Sequence, residues 1–226
     1  MTDPPQGASQ NLAMSEPRGL GYWLGRAWLA AFGWKVEGAA LASRDVRKAV
    51  VLAAPHTSSW DLPFTLAASA VLGVKVSWLG KDSLFAGPLR GRVLRFFGGI
   101  AVDHRKKHDV VDDVVSVLNR HDQLYIVLAP EGARGKAPRW KTGFYHMAVG
   151  AKVPVVLGYL DYAKKTAGFG DVVYPSGDLD ADLRKIRAFY KNVTPKRPER
   201  MSEMTFGPEP TIGPGLFGQS PRWGTA

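Results

Sequence analysis

Short apolar runs alternate with longer amphipathic segments along most of this chain. Short runs predict buried strands, whereas segments with apolar residues three and four positions apart predict helices. The predicted strands are residues 34–36, 49–54, 74–79, 100–102, 124–128, 153–160 and 172–174. The predicted helices are residues 20–34, 62–72, 84–97, 110–119, 144–151 and 180–191. This alternation predicts an α/β fold with a largely parallel mixed sheet flanked by helices.

The first predicted helix is amphipathic and rich in aromatic residues. One helical stripe carries Leu20, Trp23, Leu24, Ala27 and Trp28. Aromatic helices that also carry a basic residue, here Arg26, often lie in the headgroup layer of a membrane without crossing it. The alternative, with similar weight, is that this stripe packs on the domain core, and the two interpretations are compatible.

The segments at both ends differ in composition from the middle of the chain. Residues 1–18 are polar, and we expect a disordered tail there that is not a signal peptide. Residues 19–34 are the amphipathic membrane-surface helix, and residues 35–194 form the main domain. Residues 195–226 are rich in Pro and Gly and form a C-terminal tail. No stretch reaches the roughly 20 apolar residues needed to span a bilayer.

Composition narrows the possible partners. The 226 residues carry a formal net charge of +10, which indicates an anionic partner: nucleic acid, an acidic substrate or a membrane surface. The Lys and Arg residues are scattered and do not alternate with aromatic residues on one platform, so no nucleic acid is expected. The chain has no cysteine, which excludes thiolate nucleophiles and Cys-ligated zinc.

The best candidate for chemistry lies where the strand 49–54 ends. His56 follows that strand, and Asp61 opens the helix that contains Pro63 near its start. A histidine and a carboxylate placed in this way can form a general base and its orienting partner, which together activate a hydroxyl. The alternative is a capping or core histidine with no catalytic role.

The spacing His-x4-Asp is weak evidence by itself because it occurs three times in this chain. Within one helix, five residues place two side chains about 140° apart, so the pair meets only where the chain turns. The other two copies lie in the charged run 103–109 and predict a solvated helix start. There, His104 and His108 have the spacing of metal ligands but no nearby third ligand, so we predict no metal site.

Further candidate residues follow other predicted strands. Lys81, Asp103 and Glu131 each come shortly after a strand, and sites in open α/β sheets gather at the carboxyl ends of strands. Gly132 allows close backbone approach to a ligand, and Arg134 can clamp a phosphate with two hydrogen bonds. The alternative is a turn with a surface ion pair worth about 0–1 kcal/mol.

Four motifs in this order resemble the glycerolipid acyltransferases of the lysophosphatidate (1-acylglycerol-3-phosphate) acyltransferase type. The motifs are His56-x4-Asp61, Gly98-x-Ile100 with a downstream arginine, Glu131-Gly132-Ala133-Arg134, and Val153-Pro154-Val155. The resemblance covers roughly residues 34–160, so the main domain is expected to be an acyltransferase domain.

The resemblance implies an O-acyltransferase that moves a fatty acyl group from acyl-CoA or acyl-carrier protein to the hydroxyl of a lysophospholipid. His56 would take the hydroxyl proton, and Asp61 would hold the other ring nitrogen. Lys81, Arg134 and Arg105 would bind the acceptor phosphate in a pocket shaped by Glu131, Gly132 and Ala133. No metal or redox cofactor is implied. The expected location is the cytoplasmic face of an anionic membrane, with peripheral, monotopic attachment.

Two departures from the family pattern affect the acceptor site. Ala133 stands where the family has threonine, and His104 stands where it has arginine, with Arg105 one place later. Alternative functions are therefore an acyltransferase for a lyso-aminolipid or glycolipid, or a non-catalytic basic module that binds membranes or nucleic acid.

Overall fold

The computed structural model describes residues 19–38, 46–102, 109–132 and 139–205. The predicted tails therefore lie outside the described residues, except for residues 195–205. The helices are α1 (Leu20–Ala31), α2 (Asp61–Val71), α3 (Pro88–Phe96), α4 (Asp109–Arg120), α5 (Gly143–Ala151) and α6 (Leu179–Tyr190). The strands are β1 (Lys35–Glu37), β2 (Lys48–Ala53), β3 (Val76–Lys81), β4 (Gly99–Val102), β5 (Leu124–Leu128), β6 (Val155–Asp161) and β7 (Thr166–Val173).

These strands form one sheet in the order β1-β7-β6-β2-β5-β3-β4. Strands β6, β2, β5, β3 and β4 are parallel, whereas β7 pairs antiparallel with β6, and β1 follows the direction of β7. The predicted α/β fold with a largely parallel mixed sheet is confirmed. Because β2 lies between β6 and β5, the carboxyl end of β2 is at the centre of the sheet edge where a site is expected.

Helices cover both faces of the sheet. On one face, α4, α5 and α6 pack against alternate residues of β2, β5 and β6, including Val50, Ile126 and Leu157, all fully buried. On the other face, Val51, Val127 and Val156 form a second cluster with residues of α2. The near-continuous apolar runs of β2 and β5 are explained by this burial on two sides.

The helix α1 packs on α2 through Gly25, Leu29 and one member of its predicted stripe, Trp28, whose ring centre lies 6.0 Å from that of Phe64. Gly25 and Leu29 are buried, and a β-carbon on Gly25 would lie 2.7 Å from the carbonyl oxygen of Ala67. The rest of the stripe faces outward, with Leu20 75%, Trp23 55% and Leu24 61% exposed, so both interpretations of the stripe apply to different parts of it. Among the described residues, no helix combines the length and apolar character that crossing a bilayer requires.

Two elements differ from the predicted ones. The strand predicted at 172–174 is the end of β7, which begins at Thr166. Glycine lowers the strand propensity of the first half of β7. Gly168 is nevertheless required there, because a side chain would overlap Glu37 of the neighbouring β1. The helix predicted at 84–97 is divided into a 3-10 helix (Asp82–Phe85) and α3, with Gly87 and Pro88 at the junction.

Candidate active site

The site is built at the point where β2 ends and α2 begins. The strand β2 ends at Ala53, and Asp61 is the first residue of α2. His56 precedes the helix, so the turn between the two residues brings their side chains together. His56 Nδ1 lies 2.9 Å from Asp61 Oδ2, and the His56 side chain is 22% exposed. The imidazole is therefore held by Asp61 on one side and partly exposed to solvent on the other.

The carboxylate of Asp61 accepts several hydrogen bonds in a buried position. Its Oδ2 accepts the backbone N–H groups of Thr57 at 3.1 Å and Ser58 at 3.0 Å. Because Oδ2 acts as an acceptor toward both amides, the His56 nitrogen facing it carries the proton. The other ring nitrogen, Nε2, then has a free lone pair. This is the tautomer that a general base requires.

Tyr162 completes the coordination of Asp61 from a distant part of the chain. It follows β6, and its hydroxyl donates a hydrogen bond of 2.8 Å to Asp61 Oδ1. Burial and the adjacent Asp61 charge raise the pKa of Tyr162 well above its usual range, so it remains a donor. Tyr162 was not among the predicted site residues, although it follows a predicted strand as the other candidates do.

Glu131 connects the end of β5 to the backbone of His56. Its Oε1 accepts the His56 N–H at 3.0 Å, and the side chain is buried. Burial raises the pKa of Glu131 above the usual value of 4.5. Gly132 follows with φ +67°, in the left-handed region that favours glycine. Glu131 thus positions the histidine, in addition to any role toward a substrate.

The remaining predicted acceptor residues are placed only in part. Lys81 is the last residue of β3, at the same sheet edge as His56, while its side chain lies outside what the structure describes. Arg105, Ala133 and Arg134 also lie outside the described residues. Their assignments stay predictions.

Lys141 is a further cation near the site and was not among the predicted site residues. It is exposed, and its Nζ would lie 2.8 Å from a β-carbon placed on Gly132. The ammonium group therefore covers the glycine that follows the buried Glu131. None of the four motifs includes Lys141, which lies seven residues after Arg134 in the sequence.

The segment after α6 also contacts the site. Arg197 N–H donates to Thr57 Oγ1 at 3.1 Å, and Tyr162 N–H donates to the carbonyl of Thr194 at 2.9 Å. Lys196 Nζ lies 4.8 Å from the centre of the Trp60 ring and 5.6 Å from that of Tyr162. This segment therefore holds the turn between His56 and Asp61 from outside.

The arrangement provides a base with one free ring nitrogen and a buried carboxylate that can stabilise the imidazolium. Within the described ranges, no three His, Asp or Glu side chains are grouped closely enough to hold a metal ion. The imidazole of His56 beside the carboxylate of Asp61 can supply acid–base chemistry, which suits activation of a hydroxyl.

Comparisons with known proteins place the fold. The sequence has no significant match among curated proteins. A solved structure, the 1-acyl-sn-glycerophosphate (LPA) acyltransferase PlsC from Thermotoga maritima, is similar with a TM-score of 0.53. The two sequences are 19% identical over 78% of this chain and 80% of that one. At this identity the similarity shows a shared fold.

A comparison of the sequence with family models identifies the family. Residues 35–157 match the model named Acyltransferase, a range that starts at β1 and includes His56, Asp61 and the end of β5. The resemblance found from the motifs is confirmed by this match. The chain belongs to the acyltransferase family.

Proposed function

We propose that this protein is an O-acyltransferase that transfers a fatty acyl group from a thioester to the hydroxyl of a lysophospholipid, with 1-acylglycerol-3-phosphate as the first acceptor to test. The observation that carries the proposal is the 2.9 Å contact between His56 Nδ1 and Asp61 Oδ2, with His56 partly exposed at the sheet edge. The family match and the similarity to a lysophosphatidate acyltransferase support it.

In the proposed reaction, His56 Nε2 removes the proton from the acceptor hydroxyl as its oxygen attacks the thioester carbonyl. The negative charge of Asp61 stabilises the imidazolium formed in this step. The attack forms the new carbon–oxygen bond, and collapse of the tetrahedral intermediate restores the carbonyl group and breaks the carbon–sulfur bond. The imidazolium returns its proton to the departing thiolate, which leaves as CoA or carrier-protein thiol. No acyl-enzyme is needed, in keeping with a chain that has no cysteine.

The acceptor phosphate is proposed to bind beside Gly132. Arg134 and Lys81 are the principal cations, with Arg105 in support, and Lys141 adds a positive charge over Gly132. Arginine suits this role because its planar group binds phosphate with two hydrogen bonds. Arg134→Ala should raise the acceptor KM with a smaller change in kcat, and an unchanged KM would remove Arg134 from the phosphate site.

We further propose that the protein attaches peripherally to the cytoplasmic face of an anionic membrane. The outward stripe of α1 supports this proposal because Leu20, Trp23 and Leu24 are exposed on the side away from α2. A lipid acceptor resides in that surface layer, so attachment would bring the site to its substrate.

The direct test is an acyl-transfer assay with one labelled acyl thioester, supplied as acyl-CoA or acyl-carrier protein, and a panel of lysolipids. His56→Ala should reduce kcat by a factor of about 10²–10⁴. The matched control is His121→Ala, because His121 is exposed at the end of α4. Full turnover by His56→Ala would rule out the proposed base.

The acceptor panel separates the remaining possibilities. Preference for lysophosphatidate supports the proposed acceptor, whereas preference for a lyso-aminolipid or glycolipid keeps the chemistry and changes the substrate. If the protein binds vesicles but transfers no acyl group to any lysolipid from either thioester, the non-catalytic membrane module would be favoured.

A further inference from the structure

The exposed large hydrophobic side chains are unevenly distributed over the described residues. Apart from Tyr174, they belong to α1 and the residue after it, the start of α2, and the segment around α3. The last group comprises Leu84, Leu89, Val93, Phe96 and Phe97. Groups of exposed apolar side chains of this kind mark interaction sites.

The helix α3 carries its apolar stripe on the outside. Leu89, Val93, Phe96 and Phe97 have the spacing i, i+4, i+7, i+8 that normally faces a core. Here they are 75%, 45%, 80% and 51% exposed. The buried side of α3 is Gly91, which packs closely on the backbone of Phe85. This glycine contact sets the orientation of α3, and no described residue of the chain covers the stripe.

Arginines flank the stripe, and acidic residues are absent from it. Residues 83–99 contain Arg90, Arg92 and Arg95 and no Asp or Glu. Arg90 donates to the carbonyl of Ser83 at 2.8 Å, and the Arg95 guanidinium lies 5.4 Å from the centre of the Phe85 ring. We call these three arginines, together with Leu84, Leu89, Val93, Phe96 and Phe97, the α3 surface.

The α3 surface lies on the same side of the sheet as α1. Val76 of β3 packs in the cluster shared with α2, and Trp78 points to the same face because strand residues alternate. Phe85 packs against Trp78 and over Gly80, with ring centres of Trp78 and Phe85 6.0 Å apart. Since α3 rests on Phe85, α1, α2 and α3 form one layer, opposite to α4, α5 and α6.

We propose that the α3 surface is a second membrane contact that binds the surface of an anionic bilayer. A short helix with aromatic and aliphatic residues on its outer stripe and arginines beside it matches the apolar and charged layers of such a surface. Leu84, at the start of this surface, lies three residues after Lys81, the last residue of β3. The inference rests on the proposed function only in taking a bilayer as the source of the acceptor.

The first test measures partition of the full chain onto phosphatidylcholine vesicles that contain phosphatidylglycerol. Leu89→Ser with Phe96→Ser should weaken partition at least about tenfold, because two exposed apolar side chains no longer enter the lipid. Arg92→Gln should weaken it about fivefold at low salt. The charge-matched control, Arg184→Gln on α6 in the opposite layer, should change it less than twofold.

The second test does not depend on how the double variant folds. Because the chain has no cysteine, Phe96→Cys introduces one site for an environment-sensitive fluorophore. Its emission should shift to the blue when vesicles are added, whereas the same label at Arg184→Cys should not respond. Both sites are exposed in the free protein, so labelling does not require unfolding.

Two results would overturn the proposal. One is wild-type partition by the Leu89/Phe96 double variant together with an unshifted label at position 96. The other is a double variant that binds vesicles normally and transfers from acyl-CoA but no longer from acyl-carrier protein. That result would assign the surface to a protein partner. Vesicle binding is measured without turnover, so a protein that binds through α3 but transfers no acyl group would contradict the proposed function alone.

Discussion

Asp61→Asn is the substitution that separates the charge of the carboxylate from its geometry. Asp61 Oδ2 accepts from two backbone N–H groups and faces His56 Nδ1, whereas Oδ1 accepts from Tyr162. The two amides are fixed donors, so the carbonyl oxygen of asparagine should take the place of Oδ2. Its NH2 group then faces Tyr162, whose hydroxyl oxygen can accept. The hydrogen bonds are retained while the negative charge is lost.

The cost to the reaction follows from the distance. At about 4 Å between the centres of charge and an effective dielectric constant of about 20, the carboxylate stabilises an imidazolium by about 4 kcal/mol. That energy corresponds to about a thousandfold in rate. Both side chains are less than one-third exposed, so screening by water does not remove this contribution. We therefore expect kcat to fall about 10³-fold with little change in the free energy of unfolding.

The assay is a double-mutant cycle on acyl transfer, with Asp61→Asn, His56→Gln and the double variant. If the two residues act as one unit, the double variant should be no slower than His56→Gln alone. Urea unfolding of each variant checks that the fold is retained. A rate for Asp61→Asn within tenfold of wild type, or additive losses in the double variant, would refute the catalytic pairing.

Three further predictions test the surroundings of the site. Tyr162→Phe should lower the free energy of unfolding by about 1.5–3 kcal/mol, since a hydrogen bond to the Asp61 carboxylate is lost, and should reduce kcat less than Asp61→Asn; equal losses in kcat would contradict this ranking. Glu131→Gln should be more stable than wild type near pH 8 in denaturant titrations, and the difference should vanish near pH 4. The reason is that burial raises the pKa of Glu131 in the folded state, so the stability of the wild type falls as the pH rises through this raised pKa. A stability difference that stays constant between pH 4 and pH 8 would contradict this explanation. Gly25→Ala should cost about 1–3 kcal/mol by overpacking between α1 and α2, whereas the control Gly21→Ala, with no atom within 4 Å of the new carbon, should not destabilise.

The order of elements and the position of the His56–Asp61 pair could be predicted because both are local properties of the sequence. The runs at β2 and β5 are apolar throughout, as expected for strands buried on both faces. Pro63 limits where α2 can begin, and the observed start at Asp61 agrees with that limit. Once the helix starts there, His56 must lie on the turn before it. The geometry of the pair then follows from chain connectivity.

The missed features depend on contacts between distant parts of the chain. Tyr162 reaches Asp61 across 101 residues, and no local pattern specifies which residue after β6 turns inward. The glycine at position 168 of β7 is set by the approach of the β1 backbone at Glu37, whereas a propensity scale counts any glycine as unfavourable for a strand. The outward stripe of α3 is a similar case. Its periodicity predicts a buried face, and only the packing of Gly91 on Phe85 shows that the face is turned to the outside.

In this site, the residues proposed for proton transfer are brought together by local contacts, whereas the residues that position them come from distant parts of the chain. The proposed proton-transfer pair lies within six residues of sequence, so its geometry requires only that β2 ends and α2 begins at the right places. The groups that hold the pair come from the ends of three other segments: Glu131 after β5, Tyr162 after β6, and Arg197 after α6. Each contacts the turn or the carboxylate without approaching Nε2 as a hydrogen-bond partner. Arg197 makes its contact through the backbone N–H, so side-chain substitutions test only Glu131 and Tyr162. Substitution of these two residues should therefore affect stability together with rate, whereas Asp61→Asn should affect rate alone, and this contrast is measurable on one set of purified variants.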